Sequence, residues 1–336
     1  MNSATEAGAP QFWMGGVLAR DLVEVSSDPS CLADGEFWAI STTYEGEFRA
    51  AKFKTITNEP FSTILTTMRV SGKWESSTSE SEYIQYVEKI REEIASGGVY
   101  QVNACRRLSI KSSATLDLAF ANILKSNPAP FASYFRFSEL EIASASPELF
   151  LTRDGDQIKT SPIKGTKRSS SEKFGNKDRA ENIMIVDLVR NDFGRVCHHG
   201  SVHVPGLLER QHHPGLDHLV STVEGELRPN VGWPELIEAT FAPGSVTGAP
   251  KIAAVRKIHE LEPVDRNIYC GSIGWVDADR SIGELNVAIR TFWVHEDRLC
   301  FGTGGAITWD STADGEWAET ELKADRLIAL ASSRPA

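Results

Sequence analysis

The sequence predicts an α+β fold with a largely antiparallel sheet, and three observations carry that expectation. Apolar and polar residues alternate through FWAISTTYEGEFRAAKFKTI (37–56) around a Glu45-Gly46 turn, the pattern of two strands with one buried face. Segments of 3.6-residue periodicity lie between such stretches. Strands and helices therefore come in mixed order, with no βα unit repeating at a regular interval, which argues against a doubly wound parallel sheet.

Further strands are expected at FASYFRF (131–137), ELFLTRDGDQIKTSPI (148–163), NIYCGSIGWV (267–276) and LNVAIRTFWV (285–294). The first helix is expected from Ser79 to Ser96, with Ile84, Val87, Ile90 and Ile94 on one face and Gly97-Gly98 as its stop. Others are expected at 116–125, 178–192, 233–240, 250–261 and 314–331. The stretch KWESSTSESE (73–82) reads as a mobile polar surface segment leading into the first helix.

A chain of 336 residues, 41% hydrophobic and 24% charged, can bury a large core. Its 35 basic and 46 acidic side chains give a formal charge of -11, which repels nucleic acid and anionic membranes. A small anionic substrate remains compatible, because local cations outweigh a distant mean field within a screening length. No stretch approaches the roughly 18 apolar residues of a membrane span, and the N-terminus lacks a secretory pattern, so a cytoplasmic location is expected. The five cysteines form no CxxC pair and read as buried thiols.

Several residues have chemical potential beside an ordinary reading. Glu316, Glu319 and Lys323 fall at i, i+3 and i+7 and share a helix face, which periodicity alone explains as a solvated, salt-bridged surface. KDRAENIMIVDLVRND places Asp178 and Glu181 at i, i+3 beside an apolar side of Ile185, Leu188 and Val189. Two such helices can point carboxylates at one cavity, an arrangement suited to Mg²⁺, though spacing alone does not bring them together. PGSVTGAPK (243–251) joins a Gly-rich turn to a helix with Pro250 near its first position, where free N–H groups can hold an anion. It is not a Walker loop, and a plain turn is its ordinary reading. Lys164 of SPIKGT is ordinarily an exposed loop lysine; buried, it would have a lowered pKa and act as a nucleophile.

Taken together, the segments GVYQVN, SASPELF, PIKGT, KDRAENIMIVDLVRND, GSV, HLVS, PGSVTGAPK, YCGSIGW, AIRT, TGGAI and ETELKA, in that order from about Ser79 to Leu330, resemble the chorismate-utilising family. That family includes anthranilate, aminodeoxychorismate, isochorismate and salicylate synthases. The resemblance implies two similar αβ halves with face-to-face antiparallel sheets and helices outside. It implies a shortened strand-rich N-terminal part (1–78) and a chorismate-binding catalytic region (79–336) forming one compact unit with it. The PIKGT reading, where anthranilate synthases read PIAGT, points to the aminodeoxychorismate branch. There Lys164 would add at C2 of chorismate as the C4 hydroxyl leaves, and ammonia would then add at C4 and expel the lysine, for 4-aminobenzoate and folate synthesis.

By the same resemblance Glu148 is the general acid, with a pKa raised by burial. Glu181 and Glu319 bind Mg²⁺, with Asp178 and Glu316 as outer or water-mediated partners. Arg290 and Lys323 contact carboxylates, with Gly304, Gly305, Thr247 and His218 nearby. Gln101 stands where isochorismate and salicylate synthases carry a water-activating lysine, which argues against water as the nucleophile. Ala306 replaces the last glycine of a usual triplet. No LLES-like segment occurs near the N-terminus, so tryptophan inhibition is not expected, and ammonia is expected from a separate glutamine amidotransferase subunit. The rival readings are anthranilate synthase component I, opposed by Lys164, and a non-catalytic chorismate-binding paralogue, opposed by the retained Glu148, Lys164, Glu181 and Glu319. The pairs His198-His199 and His212-His213 do not match zinc spacings.

Overall fold

Alternating burial generates the first strands, β1 (Gln11–Met14), β2 (Val17–Ser26), β3 (Phe37–Thr42) and β4 (Phe48–Asn58), with β3 and β4 meeting around the expected Glu45-Gly46 turn. The computed structural model describes residues 8–63, 70, 72–112, 115–167, 173–213 and 216–332. Next come β5 (Glu75–Ser76), α1 (Glu80–Ala95), β6 (Gln101–Lys111), α2 (Asp117–Ser126), β7 (Ser133–Phe137) and β8 (Leu140–Ser144). Then follow β9 (Leu149–Asp154), β10 (Gln157–Ser161), β11 (Ile163–Lys167), α3 (Asn176–Gly194), β12 (His203–His213) and β13 (Leu216–Glu226). The chain ends with α4 (Trp233–Thr240), β14 (Gly248–Ala249), α5 (Lys251–Leu261), β15 (Ser272–Asp277), β16 (Ile282–Val287), β17 (Thr291–His295), β18 (Arg298–Ile307) and α6 (Ala313–Ser332).

All named strand pairings are antiparallel, and they trace one ribbon. It runs β12, β13, β10, β9, β16, β15, β3, β4, β2, β1, β7, β8, β17, β18 and β6. The main core draws Trp38, Ile40, Phe150 and Val287 from one part of the ribbon and Phe12, Phe135, Ile142 and Trp293 from the other. The ribbon thus doubles back so that two sheets face each other. A second core packs β6, β7, β17 and β18 against α2 and α6, and a third seats α1 and α5 on β6. The architecture is the expected α+β arrangement. Strands before residue 79 pair with strands after it, β1 with β7, β3 with β15 and β5 with β6. Among the described residues, no helix is long and apolar enough to cross a membrane. All five cysteines are buried free thiols.

Three local expectations change. KWESSTSESE is held down: β5 pairs with Ser109 and Leu108, and Ser79 closes a capping box with Glu82 at the start of α1. The first half of NIYCGSIGWV is a turn, because Asn267 and Cys270 adopt positive φ (56° and 67°) and strand β15 begins only at Ser272. LNVAIRTFWV divides into β16 and β17 where Arg290 turns left-handed at φ 54°.

A buried ionic group ties β7 to α2: Arg136 Nη1 donates to Asp117 Oδ2 at 2.7 Å, beside Glu141, which accepts from Tyr134 Oη at 2.6 Å. Arg136→Ala would leave buried carboxylates without their cation. It should lower the unfolding free energy by about 3 kcal/mol or more, measured by urea titration.

Candidate active site

Two interruptions of the ribbon meet and build the site. The segment Ala145–Glu148 leaves the ladder between β8 and β9, and Ala288–Arg290 leaves it between β16 and β17. Because β8 pairs with β17 and β9 with β16, these breaks lie opposite each other. Ser146 fixes them: its Oγ donates to the Val287 carbonyl at 2.6 Å and accepts from the Glu148 N–H at 3.2 Å, while Val287 N–H donates to the Glu148 carbonyl at 3.0 Å. Glu148, 4% exposed, therefore enters the interior from a rigid corner.

Burial pushes the Glu148 carboxyl up to about 7, against the opposing pull of the Ser245 side chain, Lys164, the Ile163 N–H and Arg290. Lys164 stands on β11, half-buried, and its Nζ donates to the Ser245 carbonyl at 3.1 Å. Among the described residues no carboxylate closes a salt bridge with it, so a neutral acceptor holds the amine. Lys164 is nevertheless the cation felt by Glu148, Glu181 and Glu319 together. Burial and repulsion from Arg326 draw the Arg290 guanidinium down, and attraction to Glu148 opposes them.

The acidic helices do meet. Lys177 Nζ lies 3.9 Å from Glu181 Oε1 on α3 and 3.4 Å from Glu316 Oε1 on α6. Glu316 is 4% exposed and accepts from Ser311 Oγ at 2.6 Å, so the solvated-surface reading does not hold for it. Burial raises the Glu181 carboxyl, Lys164 and Lys177 lower it, and Asp178 and Glu316 raise it further. Partial burial also raises Glu319, but Lys323 above all outweighs it and leaves that carboxyl below its usual range. Lys323 Nζ lies 2.6 Å from Glu319 Oε1 and donates to the Gly304 carbonyl at 2.8 Å. A methyl on Gly305 would stand 2.6 Å from Glu316 Oε2, so the carboxylate end would have to move aside to admit one.

The other expected residues lie around this centre in different states. Asp178 accepts from the Gly175 N–H at 2.9 Å and caps α3, facing Lys167 at 4.0 Å. Thr247 is fully buried, with its hydroxyl on the Pro243 and Gly244 carbonyls, so it locks the turn. His218 is buried on β13, opposite Thr166 of β11 and Gln211 of β12. Gln101 is fully buried beside β14, with neither amide atom partnered among the described residues. His212 pairs with Asp217 at 2.6 Å, and the His213 side chain lies outside the described residues.

Sequence reasoning missed Lys177 and Ser245. Lys177 escaped because α3 begins at Asn176 rather than 178, which brings Lys177 to the i, i+4 position before Glu181. Ser245 contributes a backbone oxygen, and no side-chain pattern announces that.

The donor set suits a hard divalent cation: carboxylates on two helices, one with its pKa raised by burial, in a cradle that Gly305 keeps open. Among the described residues no three carboxylates converge at ligating distance, and Lys177 holds Glu181 and Glu316 instead.

This chain belongs to the chorismate binding enzyme family, whose profile matches residues 49–329. It is 37% identical over 289 residues to aminodeoxychorismate synthase component 1 of Salmonella typhimurium, covering 83% of this chain and 63% of that protein. It is 37% identical over 267 residues to anthranilate synthase component 1 of Aquifex aeolicus, covering 76% and 54%. The chain thus spans less than two thirds of the length of these curated relatives. Anthranilate synthase component I from Streptococcus pneumoniae shares the fold, with a TM-score of 0.81 at 23% identity, over 97% of this chain and 93% of that one.

The raised Glu148 carboxyl has a thermodynamic signature. Between the ordinary value of 4.5 and about 7 the folded chain holds a proton that the unfolded chain releases, so this group favours folding at low pH. That contribution is lost as pH rises through about 7. Glu148→Gln should gain on the order of 3 kcal/mol over wild type at about pH 8. The gain should vanish near pH 4.5, as read by urea unfolding across pH.

Proposed function

We propose that the chain is the chorismate-aminating component of an aminodeoxychorismate synthase, using Lys164 as nucleophile and Glu148 as general acid. The placement of the Lys164 amine beside a buried acid of pKa about 7 carries this reading. The curated relatives named aminodeoxychorismate synthase component 1 support it.

In the reaction, Lys164 Nζ sheds a proton to solvent and adds at C2 of the chorismate ring. Both conjugated ring double bonds shift along the ring, the C4–O bond breaks, and Glu148 gives its proton to the departing hydroxyl so that water leaves. Ammonia then adds at C4, both double bonds shift back, the C2–N bond to Lys164 breaks to free the neutral amine, and the new ammonium returns a proton to Glu148. Arg290 and Lys323 supply the positive charge that binds substrate carboxylates. Gln101 offers a neutral amide that cannot deprotonate water, and a substrate polar group would complete its unpartnered atoms.

Glu181 and Glu319 would hold Mg²⁺, with Glu316 behind them, and the ion when bound would supply a positive contact for the ring carboxylate. Ammonia would come from a separate glutamine amidotransferase, as the designation of these relatives as component 1 supports. The anthranilate alternative shares substrate and metal, but alanine at position 164 could form no adduct.

Incubating the pure chain with chorismate, Mg²⁺ and ammonium should yield aminodeoxychorismate, identified by mass and ultraviolet spectrum; anthranilate as the product would refute the reading. Lys164→Ala should lower kcat at least tenfold and abolish a chorismate-derived mass adduct on the Lys164 peptide, and Glu148→Gln should lower kcat by about 10²-fold or more. EDTA should suppress turnover and Mg²⁺ restore it, with Glu181→Gln and Glu319→Gln requiring more Mg²⁺ for half-maximal rate.

A further inference from the structure

Each carbonyl of the 3-10 turn Gly244–Val246 and its flanking residue Pro243 has an acceptor role, and only one of them faces the nucleophile. The Pro243 carbonyl receives the Val246 N–H and the Thr247 hydroxyl, and the Gly244 carbonyl receives Thr247 through both its N–H and its hydroxyl. Arg266 Nη1 donates to the Val246 carbonyl at 2.8 Å. The Ser245 carbonyl takes Lys164 Nζ at 3.1 Å. Three carbonyls thus bind the turn to itself and to a buried arginine, and the fourth is turned to the amine.

The side chain of the same residue is buried at the cavity that the acid lines. Ser245 is 6% exposed, and its hydroxyl closes no full hydrogen bond among the described residues. It stands beside the Glu148 carboxyl and draws that acid's pKa down. Both residues line a small cavity of about 20 Å³ with Pro162, Asp192, Thr240 and Gly244. The turn cannot drift: a methyl on Gly244 would already meet Leu188 Cβ at 3.3 Å, and Lys251 Nζ ties Asp192 to the Ala242 carbonyl.

Resting on the proposed function, we propose that Ser245 is the positioning residue of the amination, its carbonyl aiming the Lys164 amine and its hydroxyl orienting the Glu148 carboxyl toward the departing oxygen. A buried hydroxyl without a partner costs folding free energy, and here it lies at the wall of the cavity shared with Glu148. One residue that holds the amine through its carbonyl and lines the acid's cavity with its side chain fixes their relative placement through a single turn. The charged groups facing the acid are Lys164 on β11 and Arg290 after β16, with Asp192 of α3 on the cavity wall.

The test compares wild type with Ser245→Ala and Ser245→Thr, the second keeping the hydroxyl. Ser245→Ala should melt at or above the wild-type temperature, lower kcat about tenfold with KM for chorismate unchanged, and move the alkaline limb of the kcat profile to higher pH. That limb reports loss of the Glu148 proton, and removal of a group that lowers this pKa moves it upward. Ser245→Thr should restore both; Ser245→Gly replaces the alanine variant if the latter does not fold. A Ser245→Ala protein with wild-type kcat and an unmoved limb overturns the proposal while leaving the proposed function standing. Infrared titration of the Glu148 carboxyl, assigned by its loss in Glu148→Gln, separates the two claims. If wild type forms no aminodeoxychorismate, the proposed function fails and the amination role of Ser245 with it. An unmoved carboxyl titration in Ser245→Ala overturns the placement of Ser245 whatever product is made.

Discussion

Burial of one carboxyl at a corner of an antiparallel ribbon is the constraint on which the site depends. Glu148 is 4% exposed, and a carboxyl there keeps its proton up to about 7 only because β8 gives way to β9 where β16 gives way to β17. A continuous ladder would place residue 148 on one face of the sheet, opposite to its immediate neighbours. The break supplies an interior position and the hydrogen bonds that make it rigid.

Around that acid, the charges are arranged as an alternation rather than as isolated ion pairs. Lys164 influences Glu148, Glu181 and Glu319, Lys177 bridges Glu181 and Glu316, and Lys323 joins Glu319 to a strand carbonyl. The helices α3 and α6 are far apart in sequence and are brought to one place by the sheet that carries them. Glu316 is interior while Lys177, Glu319 and Lys323 keep 40–48% of their side chains exposed, so the cluster runs from a buried carboxylate to a solvent-facing rim. The turn Gly244–Val246, pinned by Thr247, Arg266 and Lys251, keeps the amine and acid in a common frame.

Much of the fold was legible because local rules and tertiary packing agree. The periodicity of Ile84, Val87, Ile90 and Ile94 and the Gly97-Gly98 stop place α1, and the alternation through residues 37–56 places β3 and β4. The readings that changed are at positions where a backbone leaves its ordinary region. Cys270 and Arg290 adopt positive φ, which side-chain alternation does not reveal, and each shortened an expected strand. The resemblance singled out Thr247 and Asp178 as candidates, but the turn that Thr247 locks and the helix end that Asp178 caps emerge only from the hydrogen bonds.

The sequence by itself determined the fold class, the family motifs and the chemical types present, because apolar period, turn residues and the PIKGT lysine are local properties of the chain. Tertiary structure decided which carboxylates are buried, that Lys177 stands between two helices, and that a backbone oxygen of Ser245 receives the lysine. Those outcomes depend on desolvation and on contacts between segments 80 to 140 residues apart, as between Lys164 and Ser245 at |i−j| = 81 or Lys177 and Glu316 at |i−j| = 139. No local pattern encodes such distances; only the folded ribbon creates them.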